Sequence, residues 1–268
     1  MNSRGSKPYF DASLPRIIAH RGFAPEGGTD VENTLPAFAA ALALGATHLE
    51  TDVHASRDGV AVISHDPDLG RLAGTASAVG SLDFAELATL DLGGGAVFSS
   101  LAETLAAFPT ARFNIDIKSA DAVAPTIAAV TAASAPNRVL VTSFSESRRS
   151  RALRGLAVAY PAGVATSASA VRFAVALVAG RIGLTPLLRL ALRGTDAVQV
   201  PERAMGLTVP TPQLLRQLHR IGVEMHVWTI NDAPTMNRLL DLGVDGLVTD
   251  RTDIAIDVLR SRSGAPEN

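Results

Sequence analysis

The sequence predicts an α/β protein folded as a (β/α)8 barrel of the TIM type, with a small insertion after the second strand. Three observations predict it. Short apolar runs alternate with helix-length segments until eight candidate strands are counted. The length of 268 residues suits one such barrel. Polar residues with chemical potential, namely His20, Glu50, Asp52, Asp116, Lys118 and Trp228, fall at or near the C-terminal ends of those runs, where barrels of this type build their sites.

Taken in order, a leader over residues 1–15 is expected to be flexible, and a single barrel domain is placed over 16–262. RIIAH, ending at His20-Arg21-Gly22, is the first strand and its exit loop. LPAFAAALALGA follows as a helix, with Thr34 as N-cap, Pro36 tolerated in the first turn and Gly45 ending it. THLETDVH is the second strand. Residues 66–99 are rich in Gly, Leu and small side chains, longer than a standard βα loop, and are assigned as an insertion or lid with a short helix at SLDFAELATL. SLAETLAAF is a helix and ARFNIDIKS the third strand, with Asn114, Asp116 and Lys118 on one face. APTIAAVTAAS is a helix, NRVLVTSF the fourth strand and SESRRSRALRGL a helix opening on a serine cap. LAVAYPAG is assigned as the fifth strand. Val171 to Leu192 makes one or two apolar helices broken at Gly183 and Pro186. DAVQVP is the sixth strand, TPQLLRQLHRIG a helix and EMHVWTIN the seventh strand. DAPTMNRLLDLG is a helix capped by Asp232 with Gly243 just past its end, GVDGLVTD the eighth strand, and IAIDVLRSR the closing helix.

Composition narrows the chemistry. A net charge of −2 argues against nucleic acid as the main partner. The absence of cysteine removes disulfides, thiolate metal sites and a cysteine nucleophile, and leaves open a site for a hard, oxygen-loving cation. The N-terminal MNSRGSKPYFDASLPR lacks the apolar core of a secretory signal, so a cytoplasmic location is expected. The apolar stretch from Val171 to Leu192 carries Arg172, Arg181 and Arg189 in mid-span, too costly for a lone membrane-spanning helix.

The chemistry concentrates in HLETDVHASRDGVAVISHD, His48 to Asp66. Glu50 and Asp52 stand at i and i+2 of a strand, so both side chains reach the same face and one cation. Asp58-Gly59 is a turn signal, and VAVIS is a second extended piece, taken as the root of the insertion, that delivers His65 and Asp66. Two carboxylates and an imidazole on short extended segments suit a metal-dependent hydrolase. Acids left unpaired on a buried barrel strand would otherwise be expensive.

IIAHRG, ENTLPAF, HLETDVHASRDGVAVISHD, FNIDIK, HVWTIN and GVDGLVTD, in that order from Arg16 to Asp250, resemble the glycerophosphodiester phosphodiesterase family. The resemblance implies a TIM barrel, a divalent metal (Ca²⁺ or Mg²⁺) and hydrolysis of a small glycerophosphodiester to glycerol 3-phosphate and an alcohol. Within it, Glu50, Asp52 and Asp116 are the expected metal ligands and His20 and His65 the acid/base pair. Arg21 and Lys118 would neutralise the phosphodiester, and Lys118 is one of only two lysines in an arginine-rich chain. Trp228, the only tryptophan, would form an apolar wall against the glycerol or alcohol moiety, with Phe23 and Met205 as possible additions. Glu32 and Asn33 are expected near the substrate; Glu26 competes with Glu32 as the family glutamate, and the adjoining Asn33-Thr34 favours Glu32.

Three features depart from the family pattern. Asp116 stands where a glutamate is usual, one methylene shorter. The loop RGFAPEGGTDVEN is stretched, and Arg251 replaces a common proline. Two other readings accompany the main one: a lysophospholipase D or sphingomyelinase D-like enzyme on lipids, and an inactive phosphodiester-binding barrel. Finally, residues 147–195 hold eight arginines and no acid, a composition suited to peripheral contact with anionic membrane.

Overall fold

The computed structural model describes residues 7–25, 31–204 and 206–264. A 3-10 turn at Pro8–Phe10 precedes β1 (Arg16–Ala19), α1 (Leu35–Leu44) and β2 (His48–Ala55). Then come β3 (Ala61–Ile63), α2 (Gly70–Ala73), α3 (Phe84–Leu87), α4 (Leu101–Ala107), β4 (Phe113–Ile117), α5 (Val123–Ala132), β5 (Val139–Thr142) and α6 (Glu146–Ala159). The second half runs β6 (Ala165–Thr166), α7 (Ala170–Arg181), α8 (Thr185–Ala191), β7 (Ala197–Pro201), β8 (Arg203–Ala204), β9 (Leu207–Thr208) and α9 (Pro212–Ile221). It closes with β10 (Glu224–Trp228), α10 (Ala233–Asp241), β11 (Gly246–Thr249) and α11 (Thr252–Ser263).

Eight strands pair in parallel in the order β6-β5-β4-β2-β1-β11-β10-β7. A single parallel bridge, Ser167 to Ala197, joins the two ends, so the barrel is nearly closed. β3 lies outside this ring, antiparallel on β2, as expected for the root of the insertion. Sequence signals place the helices well. Thr34 accepts from the Ala37 N–H and Gly45 ends α1 in the left-handed region, while Ser100, Ser145, Thr211 and Asp232 cap their own helices. The insertion packs over a small apolar cluster of its own that includes Val62, Leu69, Val79, Leu87 and Phe98.

The fifth barrel strand is not LAVAYPAG. That segment is the last turn of α6 and the loop after it, and the strand is Ala165–Thr166. Gly155 does not end the helix; it is where α6 crosses α5, and a Cβ there would collide with the Ile127 side chain. Leu156, buried four residues after Ala152, continues the inward face. The hairpin β8–β9 was not expected at all.

The leader divides. Residues 1–6 lie outside the described residues, but from Lys7 the chain is packed, and Tyr9 and Phe10 join Leu140, Ala165 and Ala197 in a cluster at the barrel floor. The Tyr9 ring meets His48 edge-on at 4.7 Å and its backbone carbonyl lies 3.1 Å from His48 Nε2. Arg16, 2 % exposed, donates from Nε and Nη2 to both Glu224 oxygens at 2.8 Å, and to the carbonyls of Ala12 and Phe10. Among the described residues the buried Tyr9 hydroxyl has no hydrogen-bond partner. Tyr9→Ala should therefore lower unfolding free energy by about 3 kcal/mol or more, whereas Tyr9→Phe should be neutral or slightly stabilising because it removes an unpaired polar group. Urea denaturation of both variants checks this; equal losses would refute it.

Candidate active site

The C-terminal ends of the strands converge on a cavity of about 400 Å³, within the range of small-molecule sites. β1 delivers His20 and Arg21, and β2 delivers Glu50 and Asp52. The parallel ladder sets Asp52 opposite Asp116 and Glu50 opposite Asn114, so register alone makes the two aspartates neighbours across adjacent strands. Lys118 follows one pleat further along β4, and His65 arrives on the segment after β3. A concavity of about 350 Å³ elsewhere, lined by Arg189, Arg193 and Arg220, contains no carboxylate or imidazole.

The backbone after β1 is shaped to aim these groups. Arg21 adopts φ +57° and Asn33 φ +58°, both in the left-handed region, an arrangement that persists where surrounding contacts over-determine it. Those contacts are present: the Asn33 N–H donates to the Arg21 carbonyl at 2.8 Å and the Arg21 N–H to Glu50 at 3.2 Å. Gly22, at φ +86°, has no room for a side chain; a Cβ would lie 2.8 Å from the Ala37 carbonyl carbon.

Charge is densely paired. Lys118 Nζ stands 2.8 Å from Asp52 and 2.7 Å from Asp116, and Arg21 Nε lies 3.3 Å from the other Asp52 oxygen. Burial opposes the Lys118 charge, but Asp116 and Asp52 outweigh it and hold its pKa above the ordinary value. Glu50 is pushed up to about 8, chiefly by burial and then by the charge of Asp52. Asp116 is raised as well, again by burial first.

The two histidines are each seated on a carboxylate. His20 Nδ1 lies 2.6 Å from Asp250 and His65 Nδ1 2.8 Å from Asp66. Carboxylates only accept, so Nδ1 carries the proton in both rings and Nε2 is left for the reaction. Burial pulls the His20 pKa down, but the Asp250 hydrogen bond and the Glu50 charge outweigh it and leave it raised. Asp250 is the residue that sequence reasoning missed, although it ends the GLVTD run at the barrel mouth. Asn231 holds it in turn at 2.8 Å.

Other expectations separate. Trp228 lines the cavity, with Phe144 edge-on at 6.2 Å; Phe144 and Phe173 are further lining residues that sequence reasoning did not select. Glu32 and Asn33 do not line it. Glu32 instead accepts from Arg21 and from Arg71 of the insertion, and Asn33, buried, donates to Asp52 at 3.1 Å. Both hold charged groups of the site. Phe23 packs on the apolar core. Glu26 and Met205 lie outside the described residues.

Among the described residues no three histidine or acidic side chains converge at clasping distance, because Lys118 stands between Asp52 and Asp116. The donor set nonetheless fits a hard divalent cation. Three carboxylates face two side-chain cations, the Asp116 Oδ1 is buried without a hydrogen-bond partner, and Glu50 is desolvated enough to resist ionisation.

Acids, seated imidazoles and fixed cations at the mouth of a (β/α)8 barrel define a hydrolase class that handles phosphate esters. The chain belongs to the Glycerophosphoryl diester phosphodiesterase family, whose model matches residues 20–254. It is 42% identical over 245 residues to "Probable glycerophosphodiester phosphodiesterase 2" of Mycobacterium tuberculosis, covering 91% of this chain and 90% of the relative. It is 26% identical to "Lysophospholipase D GDPD1" of Rattus norvegicus, covering 88% and 83% respectively. Among solved structures, the glycerophosphodiester phosphodiesterase of Agrobacterium tumefaciens superposes with a TM-score of 0.72 at 26% identity, covering 94% of this chain and all of that one (100%).

Proposed function

We propose that this chain is a divalent-metal-dependent phosphodiesterase that hydrolyses glycerophosphodiesters to glycerol 3-phosphate and an alcohol. The observation that carries the reading is a single cavity lined by His20 and His65 together with Glu50, Asp52, Asp116, Arg21 and Lys118. Membership of the family makes the chain a phosphoric diester hydrolase.

Glu50, Asp52 and Asp116 would hold the cation, Ca²⁺ or Mg²⁺. When bound, it supplies Lewis-acid polarisation of the phosphoryl oxygens. Arg21 and Lys118 stabilise the charge that gathers on the non-bridging oxygens as the phosphorus is attacked. One imidazole Nε2 withdraws the proton of the nucleophile, either water or the neighbouring glycerol hydroxyl (whose cyclic phosphate water then opens). The other ring, protonated on both nitrogens, delivers its Nε2 proton to the departing oxygen. Asp250 and Asp66 hold the two rings in the tautomer that this exchange needs. The insertion is proposed as a lid over 66–99, tied to the loop after β1 by Arg71, which bridges Asp66 and Glu32 at 2.6 Å each.

Metal removal tests the reading. Turnover of glycerophosphocholine should fall by about 10²-fold or more in excess chelator and return when Ca²⁺ or Mg²⁺ is added back; full activity in chelator would refute the metal dependence. A second reading is favoured by the apolar side of the cavity, where Phe144, Phe173, Ala204 and Trp228 are suited to an acyl chain. On it the preferred substrate is a lysophospholipid, and release of lysophosphatidic acid from lysophosphatidylcholine, faster than glycerol 3-phosphate from glycerophosphocholine, would distinguish it.

A further inference from the structure

The outward face of α7 is apolar. Val171, Val175, Val178 and Ile182 recur at helical spacing and are 58, 40, 60 and 64% exposed. α8 adds Leu187 and Leu190, also exposed. None of these side chains is needed by the core. The inward face of the pair is already buried through Ala176, Ala179 and Leu188, packed with residues of α9. A helix on the outside of a barrel ordinarily turns charge to solvent along that face. A continuous apolar stripe in its place marks a contact surface.

Charge along the segment that carries the stripe has one sign. Between Ser147 and Thr195 the chain carries eight arginines and no acid. Arg149 and Arg172 pair with Glu146, and Arg148 acts on Asp116. Among the described residues Arg181 and Arg189 form no ion pair within 4 Å, and each directly adjoins an exposed apolar residue, Ile182 and Leu190. Arg181 spends one N–H on the Thr208 carbonyl, which leaves its charge uncompensated.

This combination selects the occupant. A second copy docking by two-fold symmetry would set arginine against arginine. A shaped protein partner is ordinarily met by aromatic anchors and satisfied polar groups, whereas the outward face of α7 and α8 offers aliphatic side chains, with an aromatic ring only at the cavity rim. Aliphatic side chains rimmed by arginine suit hydrocarbon beneath anionic headgroups.

The stripe also begins at the cavity. The Ala170 N–H donates to the Phe144 carbonyl at 3.1 Å, tying the first turn of α7 to the rim. Ala170 and Phe173 line the cavity while Val171, on the same turn, faces outward. Phe144, 59% exposed, continues the apolar surface to Trp228.

We propose that the outer face of α7 and α8 docks this chain on an anionic lipid surface, with the mouth of the cavity at the headgroup layer. Docking stands on this surface alone; only its consequence, access to diesters held in the membrane, rests on the phosphodiesterase reading.

Co-sedimentation at low salt with vesicles of phosphatidylglycerol and phosphatidylcholine, against phosphatidylcholine alone, tests it. The wild-type chain should pellet with the anionic vesicles at least about 10-fold more efficiently than with the neutral ones, and be released by high salt. The triple variant V171S/V175S/V178S should lose binding while hydrolysing a water-soluble diester at the wild-type rate. R181Q/R189Q should weaken binding several-fold. Failure to pellet with anionic vesicles, or undiminished pelleting of the serine variant, overturns the proposal. So does a wild-type dimer that the serine variant converts to monomer without any vesicle binding. Because sedimentation does not involve turnover, vesicle binding by a chain inactive on diesters would sink the catalytic reading and leave docking standing.

Discussion

Replacing His20 or His65 by alanine should each lower turnover of a glycerophosphodiester at least about 10²-fold, with a much smaller change in KM. Each ring is held by a carboxylate on Nδ1, so each presents one committed nitrogen to the cavity. On the proposed mechanism, loss of either imidazole leaves one proton transfer without a partner while Arg21 and Lys118 remain to bind the phosphate. The double variant should be little slower than the worse single one, since a pair acting in one proton circuit is not additive. His219, on α9 and paired with Asp245, serves as the control; His219→Ala should leave turnover unchanged. Single-turnover kinetics on purified, folded variants decide the matter, and near-normal rates for either His20→Ala or His65→Ala would refute the pairing. Asp250→Asn then separates orientation from chemistry. It should lower kcat while leaving KM and thermal stability close to wild type, because the amide still fills the space of the carboxylate but no longer fixes the His20 tautomer.

Glu224→Gln should destabilise the fold by about 3–5 kcal/mol, the cost of leaving a buried arginine without its counter-charge. Arg16 is 2% exposed and both of its donors to Glu224 are short and paired, a fork that an amide cannot reproduce. The same group sets the response to acid. Burial raises the Glu224 pKa, but hydrogen bonds from Arg16 and His226 prevail and hold it at about 2, against a reference of 4.5. A carboxyl with a depressed folded pKa contributes stability above its unfolded value and loses it as pH falls through the folded one. Glu224 therefore gives up on the order of 3 kcal/mol between about pH 4.5 and 2. His48 acts in the same direction over a higher window. Burial holds it neutral, its pKa lowered from 6.5 to about 3, so the unfolded chain takes up a proton that the native one refuses as pH drops through that interval. Above about pH 4.5 the raised carboxyls Glu50 and Asp116 gain stability as pH falls and offset His48. Urea midpoints should therefore fall chiefly from about pH 4.5 to pH 3.5, and Glu224→Gln should flatten that fall. Midpoints independent of pH would show that the floor of the barrel is not the acid-labile element.

The barrel was legible because its signals are local. Caps at Thr34, Ser145 and Asp232 act within one helical turn, and the alternation of HLETDVH is visible without knowing its neighbours. LAVAYPAG failed for the same reason in reverse. Its alternation looks like a strand, but Leu156 belongs to the buried face of α6, and the true strand Ala165–Thr166 is too short for any period to register. The run after Val171 reads as apolar helix, but its composition does not tell which face is buried; Val171, Val175, Val178, Ile182, Leu187 and Leu190 are exposed, since burial depends on what lies opposite a helix.

By itself the sequence determined the fold class, several helix starts, and a candidate set of side chains for the proposed chemistry: His20, Arg21, Glu50, Asp52, His65, Asp116, Lys118 and Trp228. Those properties are carried by residues within a few positions of one another. Only the tertiary structure decided which of them meet. Closure and register brought Asp52 opposite Asp116 and put Lys118 between them, seated His20 on Asp250 across 230 residues of chain, and set Asn33 on Asp52 and Glu32 on Arg21 and Arg71. The reason is physical. Distances across a barrel are set by strand pairing among segments remote in sequence, and no local pattern encodes them.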